Sequence, residues 1–252
     1  ISYSLLVNDM KQTWIALLLS FLAGLSTIIG SILIFFSKNK KLLIGAFAFA
    51  AGVMITVSIV DLIPESFSYL STYYYPFPAV LFVCIFFTLG VILSSFIDHL
   101  IPSNNSIYKI GIISFIAIMM HNIPEGMATF IASNTDIKLG ITLTIAIALH
   151  NIPEGITIAL PIYYSKNSKK KALFYTAIAG LSEFVGAIVT CLFLKDYITY
   201  KFMGFLLAMI AGIMIQISFY ELLPEVKKAK EKRAIFYFFI GSVIMFLSIK
   251  LI

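Results

Sequence analysis

One hexapeptide, His-Asn-Ile-Pro-Glu-Gly, occurs twice in the chain, at residues 121–126 and 150–155. Both copies lie inside long apolar runs, so each carries a histidine, an asparagine and a glutamate into a hydrophobic setting. A charge at the centre of a membrane helix costs roughly 2.5 to 3.5 kcal/mol, so a duplicated polar cluster is costly to keep. We therefore interpret the two copies as a functional site, with hydrogen bonds between helices as the structural alternative.

The residue types and their spacing favour metal binding. On a helix, residues four apart share a face, so each histidine aligns with the glutamate of its own copy, and each asparagine precedes that glutamate by three residues. Two imidazoles, two carboxylates and two amide oxygens suit divalent first-row metals such as Zn²⁺, Fe²⁺ or Mn²⁺ better than alkali ions. The candidate ligands are His121, Asn122, Glu125, His150, Asn151 and Glu154.

The proline and the glycine of each copy fit a site built between helices. Pro124 and Pro153 each remove a backbone N–H donor, which leaves the carbonyl oxygen one turn earlier without its usual partner. Gly126 and Gly155 leave room for a neighbouring helix to approach closely.

Glu183 is a further acid within an apolar segment. Its segment, 179–186, matches segment 23–30, in which Thr27 stands at the equivalent position. Three carboxylates cannot stay ionised together without cations, so either metal binds among them or they are protonated. Two ions about 3.5 to 4 Å apart that share the glutamates would resolve the repulsion, and binding would displace protons and make uptake pH-sensitive. A structural role as a link between helices remains the alternative for Glu183.

The composition predicts an all-α integral membrane protein. Of the 252 residues, 60% are hydrophobic and 12% are charged, and the mean hydropathy is +1.00. A spanning helix needs about 20 apolar residues. Eight stretches qualify, near 14–36, 42–63, 77–98, 107–131, 138–164, 172–194, 202–223 and 234–252. The loops between them leave no room for a soluble domain, so we expect one transmembrane domain over residues 1–252.

The basic residues predict the topology. Thirteen of the eighteen lysines and arginines follow the first, third, fifth and seventh stretches. By the positive-inside rule, both termini then face outward, and the net charge of +6 reflects topology rather than nucleic-acid binding. The thirteen are Lys38, Lys40, Lys41, Lys109, Lys166, Lys169, Lys170, Lys171, Lys227, Lys228, Lys230, Lys232 and Arg233, whereas Lys11, Lys138, Lys195, Lys201 and Lys250 lie on the opposite side.

Internal repeats predict an inverted-repeat architecture. Segments 51–55 and 61–65 match segments 211–215 and 221–225 at one constant offset along the chain, and segment 23–30 matches segment 179–186. Five spans separate each segment from its copy, so the copies cross the membrane in opposite directions, as in many transporters. Spans one to three thus mirror spans six to eight, and spans four and five form a central pair with a binding site near the midplane.

Several residues are candidates for the access pathway. Asp61 and Glu65 are expected at the outer end of span two and Glu221 at the inner end of span seven, although acids are also common at membrane interfaces. Met54 and Ser58 are four residues apart on span two, where the thioether could act as a soft, transient ligand or simply pack. His99, next to Asp98, is an interfacial residue or a ligand. We interpret the two cysteines, Cys84 and Cys191, as inert packing residues.

These motifs resemble the ZIP (Zrt-, Irt-like protein) divalent metal transporters, and within them the bacterial ZupT-type branch, over essentially the whole chain. The resemblance implies an eight-helix bundle in the bacterial cytoplasmic membrane that imports divalent metal through a binuclear centre, often as a homodimer. One ion would lie among His121, Glu125, His150 and Glu154, and the second would use Asn122, Asn151 and Glu183, with Glu125 and Glu154 bridging. Met54 would lie at the outer entrance. Some relatives have a His-Glu pair where this chain has Tyr220 and Glu221, and the loop after span three lacks a histidine-rich tract.

The leading hypothesis is uptake of Zn²⁺ or Fe²⁺, with Mn²⁺, Co²⁺ and Cd²⁺ as further candidate ions, and two other functions are alternatives to it. A metal held by histidine and glutamate could activate water in an intramembrane hydrolase. That hypothesis is disfavoured because the polar groups are used as ligands and no HExxH motif is present. A purely structural metal site would predict no acids at the mouths of the pathway. We expect no enzyme activity and no prosthetic group, and no nucleotide-binding motif suggests coupling to ATP.

Overall fold

The computed structural model describes residues 3–32, 39–100, 106–194 and 199–250, and all regular structure in these ranges is helical. Eight helices follow one another in these ranges, and a π-helical segment, Thr190–Leu194, continues the sixth. They are α1 (Tyr3–Gly30), α2 (Lys40–Ser71), α3 (Pro76–Leu100), α4 (Ser106–Thr135), α5 (Ile137–Lys166), α6 (Lys169–Val189), α7 (Tyr200–Ala229) and α8 (Ala234–Lys250).

The expected all-α membrane fold is confirmed, although α1 begins at Tyr3 rather than near 14, α2 continues to Ser71 rather than ending near 63, and the C-terminal helix is short. Among the described residues, seven helices are long and apolar enough to cross a membrane. The eighth predicted stretch, 234–252, contains a helix of 17 residues, Ala234–Lys250, which is only about 25 Å long. Several predicted features lie outside the described residues, namely the end of the first stretch (33–36), residues 251–252, the loop residues 102–105, Lys38 and Lys195.

The helices pack in two groups. Helices α1, α4, α5 and α6 contact one another extensively, whereas α2 packs against α7 and α8, and α3 packs against α7. The two groups meet mainly where α2 contacts α5 and where α4 contacts α7. The central helices α4 and α5 therefore lie at the junction between the groups.

A one-residue loop sets the pairing of α4 and α5. Asp136 alone separates the two helices, and its side chain caps α5 by accepting hydrogen bonds from the N–H groups of Lys138 and Leu139. Helices joined by so short a loop run antiparallel as neighbours. Each hexapeptide begins about four helical turns from this loop, so the two copies lie side by side at the same depth.

Two π-helical turns interrupt the long helices α2 and α7 at matching positions. They span Ser58–Leu62 and Ser218–Leu222, at the offset of the internal repeat, and each is followed by a proline, Pro64 or Pro224. A wider turn accommodates a proline because its ring would otherwise collide with a carbonyl group of the preceding turn. No pattern of apolar residues predicts these turns.

The glycine of each hexapeptide lies against the backbone of another helix. A Cβ atom at position 126 would collide with the carbonyl oxygen of Glu183 on α6, and one at position 155 would collide with the carbonyl oxygen of Thr27 on α1. These contacts fix the distance of α6 from α4 and of α1 from α5. The contact at Gly126 also holds Glu183 beside the hexapeptides.

Substitution of Gly126 by alanine should therefore destabilise the fold. Forcing a methyl group into a packed interior costs about 1–3 kcal/mol, and here the obstacle is backbone that cannot rotate away. Thermal unfolding of purified protein in detergent should show a lower Tm for Gly126→Ala than for wild type. Gly45→Ala is the matched control, because the atoms nearest to its new Cβ would belong to the side-chain ring of Tyr237 rather than to backbone. An equal Tm for the two variants would contradict the close contact.

Candidate metal centre

Four side chains from the two hexapeptides meet between α4 and α5. His150 Nε2 lies 2.6 Å from Glu125 Oε1 and so links the two helices. His121 Nε2 lies 3.7 Å from Glu125 Oε2 on its own helix and 3.7 Å from Glu154 Oε1 on the other. Potential ligand atoms of His121, Glu125 and His150 all lie within 4.8 Å of one another.

This spacing fits a bound divalent ion. Two atoms that bind one ion tetrahedrally, each at about 2.1 Å, lie about 3.4 Å apart. The two separations of 3.7 Å around His121 are close to that value. The contact between His150 and Glu125 is a hydrogen bond, which an ion would have to open to bind both groups.

In each asparagine of the hexapeptides, the side-chain nitrogen is hydrogen-bonded and the side-chain oxygen has no partner among the described residues. Asn122 donates through Nδ2 to the carbonyl oxygen of Ala179 at 3.0 Å, and Asn151 donates to the carbonyl oxygen of Ala23 at 3.2 Å. Asn151 also donates to Glu183 Oε2 at 2.9 Å. In the described part of the chain, the Oδ1 atoms of both asparagines and Oε1 of Glu183 are buried without a hydrogen-bond partner. All three oxygens are thus free to bind a cation.

The charge in this region needs compensation. Glu154 and Glu183 are 1% and 0% exposed, and the side chain of Glu125 is 9% exposed. Among the described residues, neither carboxylate oxygen of Glu154 has a hydrogen-bond partner. Ionised carboxylates that leave water without pairing carry a large desolvation penalty. The site as built therefore favours cations, either metal ions or protons.

A wide cavity of about 790 Å³ leads to one side of this cluster. Its inner end includes His121, Glu125 and His150, and its walls include Asp61 and Glu65 of α2. The far end of the cavity is formed where α2 and α4 end and where α5 and α7 begin, and its lining there includes Tyr69, Tyr73, Thr135, Leu139, Thr199 and Tyr200. Two of the acids expected on the pathway, Asp61 and Glu65, thus share one continuous space with the cluster.

The opposite side of the cluster is closed. A small cavity lined by His121 and Glu154 is otherwise surrounded by apolar side chains. These are Met54, Ala117, Ile118, Ile213, Met214 and Ile217, all of them buried. The cluster therefore lies between an open space and an apolar barrier.

The remaining sequence candidates lie at different depths. Met54 lines the small closed cavity, about two helical turns before Asp61 on α2. The hydroxyl group of Ser58 donates to the carbonyl oxygen of Met54 at 2.7 Å. Glu221 lies beyond the barrier near Asp98, and His99 is exposed.

Three residues near the pathway were not singled out from the sequence. Met214 lines the closed cavity. It is the counterpart of Met54 in the repeated segments 51–55 and 211–215, and this repeat was the signal that could have identified it. The Tyr69 hydroxyl donates to Glu65 Oε1 at 2.7 Å, a contact four residues apart on one helix. Lys109 forms an ion pair of 2.7 Å with Asp98, and no sequence signal marks that contact between helices.

Comparison with known proteins finds a family model and several relatives, all described as zinc transporters. The family model described as "ZIP Zinc transporter" matches residues 102–249. The chain is 38% identical to the zinc transporter ZupT of Oceanobacillus iheyensis, with 96% of this chain and 100% of that protein aligned. It is 37% identical to the protein of the same name from Campylobacter jejuni and 38% identical to that from Streptococcus mutans, each with 96% of this chain and 98% of the relative aligned.

Replacing Glu125 by glutamine should weaken zinc binding. The change keeps the shape of the side chain but removes the charge of the group that contacts both histidines. Loss of a group that merely supports a ligand costs about 10- to 100-fold in affinity, so we expect at least about 100-fold here. Competition with a zinc-sensitive dye on purified protein measures the change. Glu231→Gln, on the loop before α8, removes the same charge outside the cluster and should leave affinity unchanged. Equal affinities for the two variants would exclude Glu125 as a ligand.

Proposed function

The chain belongs to the ZIP zinc transporter family, and from this membership we propose that it imports divalent metal ions into the cytoplasm through the cluster on α4 and α5. The observation that carries the proposal is the position of His121, Glu125, His150 and Glu154. They lie between a wide cavity and an apolar barrier. An ion could therefore reach the cluster from one side of the membrane only, as a carrier requires. A multi-pass membrane protein of this family is a transporter rather than an enzyme in the usual sense.

We propose a centre for two ions. The first would bind His121, Glu125, His150 and Glu154, and the second would bind the free oxygens of Asn122, Asn151 and Glu183, with Glu125 and Glu154 shared. Support comes from the unpaired oxygens of the second group and from the hydrogen bond that joins Asn151 to Glu183 at 2.9 Å. Sharing carboxylates between two ions reduces the repulsion among the three buried acids.

We also propose that the two halves form an inverted repeat. The close contacts correspond: Gly126 meets the backbone of Glu183, and Gly155 meets that of Thr27, its equivalent in the repeat. The anchors correspond too, because Asn122 and Asn151 bind equivalent carbonyl groups on α6 and α1. In such proteins, one bundle rocks against another around a central site. The two helix groups of this fold are suited to that motion.

The topology and the pathway follow from the same proposal. With both termini outside, the wide cavity opens to the exterior and contains Asp61 and Glu65. Glu221 then lies on the cytoplasmic side of the apolar barrier, and release inward requires Ile213 and Ile217 to separate from α4. The single domain over residues 1–252, the bacterial cytoplasmic membrane and homodimer formation remain predictions, as does transport of Fe²⁺, Mn²⁺, Co²⁺ or Cd²⁺ beside Zn²⁺.

Flux measurements in proteoliposomes test the proposal. Uptake of radiolabelled zinc and iron should be saturable for wild type and should fall to the level of empty liposomes for Glu125→Ala and Glu154→Ala, because these glutamates are shared ligands. Loss of all uptake in Glu183→Ala would show that Glu183 is essential. A change only in the ratio of zinc to iron uptake would show that Glu183 tunes selectivity. Glu231→Ala is the control. Folded protein that binds metal but carries none would contradict transport and would favour the hydrolase hypothesis.

Zinc affinity should fall as the pH falls. Protons compete with the ion for the imidazole nitrogens and the carboxylates, so each proton displaced weakens apparent affinity by up to about tenfold per pH unit. Zinc titrations in buffers that differ only in pH measure this slope. An affinity independent of pH between 5 and 8, roughly the range in which histidine changes charge, would exclude the histidines as ligands.

A further inference from the structure

An ion pair joins α4 to α3 on the far side of the apolar barrier. Lys109 Nζ lies 2.7 Å from Asp98 Oδ1, and the two side chains are 26% and 29% exposed. Glu221 of α7 lies near the same carboxylate. The ammonium group of Lys109 therefore lies against acids from two other helices. Because the pair is largely shielded from water, dissolved salt screens it less than a pair on the open surface.

This contact crosses the boundary between the two helix groups. Lys109 belongs to the group of α1, α4, α5 and α6, whereas Asp98 and Glu221 belong to the group of α2, α3, α7 and α8. Helices α3 and α4 share few contacts, although they follow one another in the chain. Any motion of one group against the other at this end of the protein must therefore break or rearrange the ion pair.

The ion pair extends the barrier at its far end. On α4, Ile113 and Ala117 lie about one and two turns after Lys109, and Ala117 lines the small closed cavity. On α7, Ile217 lines the same cavity and precedes Glu221 by about one turn. Ile113 and Ile217 belong to one buried apolar cluster. The charged contact of α4 thus continues its apolar contact with α7.

The equivalent lysine on the open side has different surroundings. Residues 109–111 and 138–140 are separated by the same spacing as the two hexapeptides, and each segment begins with a lysine and ends with a glycine. Lys138, the counterpart of Lys109, directly precedes Leu139, which lines the wide cavity, and Lys138 is exposed. The lysine on the closed side is paired with an acid, and its counterpart on the open side is not buried. This difference links the ion pair to closure of its own side.

We propose that Lys109 is a positioning residue for transport: its ammonium group holds α4 against α3 and α7 on the cytoplasmic side and keeps that side closed while the outer cavity is open. This inference rests on the proposed function, because it assigns a part in the motion of that carrier. The competing explanation is that the pair only fixes the connection between two consecutive helices. The two explanations differ on the opposite side of the protein, since only a closing contact is coupled to the wide cavity.

Labelling of introduced cysteines from each side of the membrane tests the proposal. In protein whose Cys84 and Cys191 are replaced by alanine, Ile217→Cys reports on the inner side and Leu143→Cys reports on the wide cavity. Lys109→Asp puts a further acid where the ammonium group was, and repulsion among the acids should open the inner side. A membrane-impermeant maleimide should then label position 217 faster and position 143 more slowly, each by about fivefold, the low end for coupled sites.

Exchanging the two charges should restore the wild-type pattern. Lys109→Asp combined with Asp98→Lys rebuilds an ion pair of opposite polarity between the same helices, so both labelling rates should return to within about twofold of wild type. Lys228→Gln is the matched control, because it breaks an ion pair with Glu225 that lies within α7 alone. Lys109→Gln is the milder variant if Lys109→Asp does not fold, and it should shift both rates in the same directions as Lys109→Asp.

The outcomes separate this inference from the proposed function. Labelling rates that stay unchanged, change at one position only or change in the same direction at both would reduce the ion pair to a local link and overturn the proposal. Zinc flux is measured on the same proteoliposomes. Absence of flux in wild type would refute transport, whereas the labelling rates would still decide whether Lys109 holds one side closed.

Discussion

The burial of carboxylates deep in a membrane bundle is the constraint on which this structure depends. Glu154 and Glu183 are almost fully withdrawn from solvent, Glu125 is largely so, and two imidazoles and the asparagine amides lie near them. Such a group of acids is stable only with cations or protons among them. The same property makes the site useful, because a cation that enters relieves the repulsion and a cation that leaves must be replaced.

Close helix packing makes this cluster possible. Gly126 and Gly155 allow α6 and α1 to lie directly against the central pair, which brings the carbonyl groups of Ala179 and Ala23 within reach of the asparagines. The amide nitrogens are thereby anchored and the amide oxygens remain free. Preorganised ligands lose little conformational entropy when an ion binds, since their side chains are already ordered.

The segments of the proposed inverted repeat make matching contacts but differ in chemistry. Their glycine contacts, serine hydrogen bonds and π-helical turns correspond, yet Glu183 stands where the other half has Thr27. The surroundings are unequal too, because one side of the cluster opens into a cavity and the other ends in apolar side chains. If the chain is the carrier that we propose, an open side and a closed side of the cluster would be the two states that it exchanges during transport.

Hydrophobic length and i, i+4 spacing are local properties of a chain, so the helical membrane fold and the candidate metal ligands of the doubled hexapeptide could be predicted from the amino-acid sequence. Helix ends were less certain, since α2 and α7 continue through prolines as π-helical turns that no apolar pattern marks. Two contacts could not be predicted from spacing along the chain: His150 pairs with Glu125 rather than with Glu154 of its own helix, and Met54 and Met214 line one cavity. These contacts depend on the rotation and separation of helices distant in sequence, which packing against every neighbour sets at once.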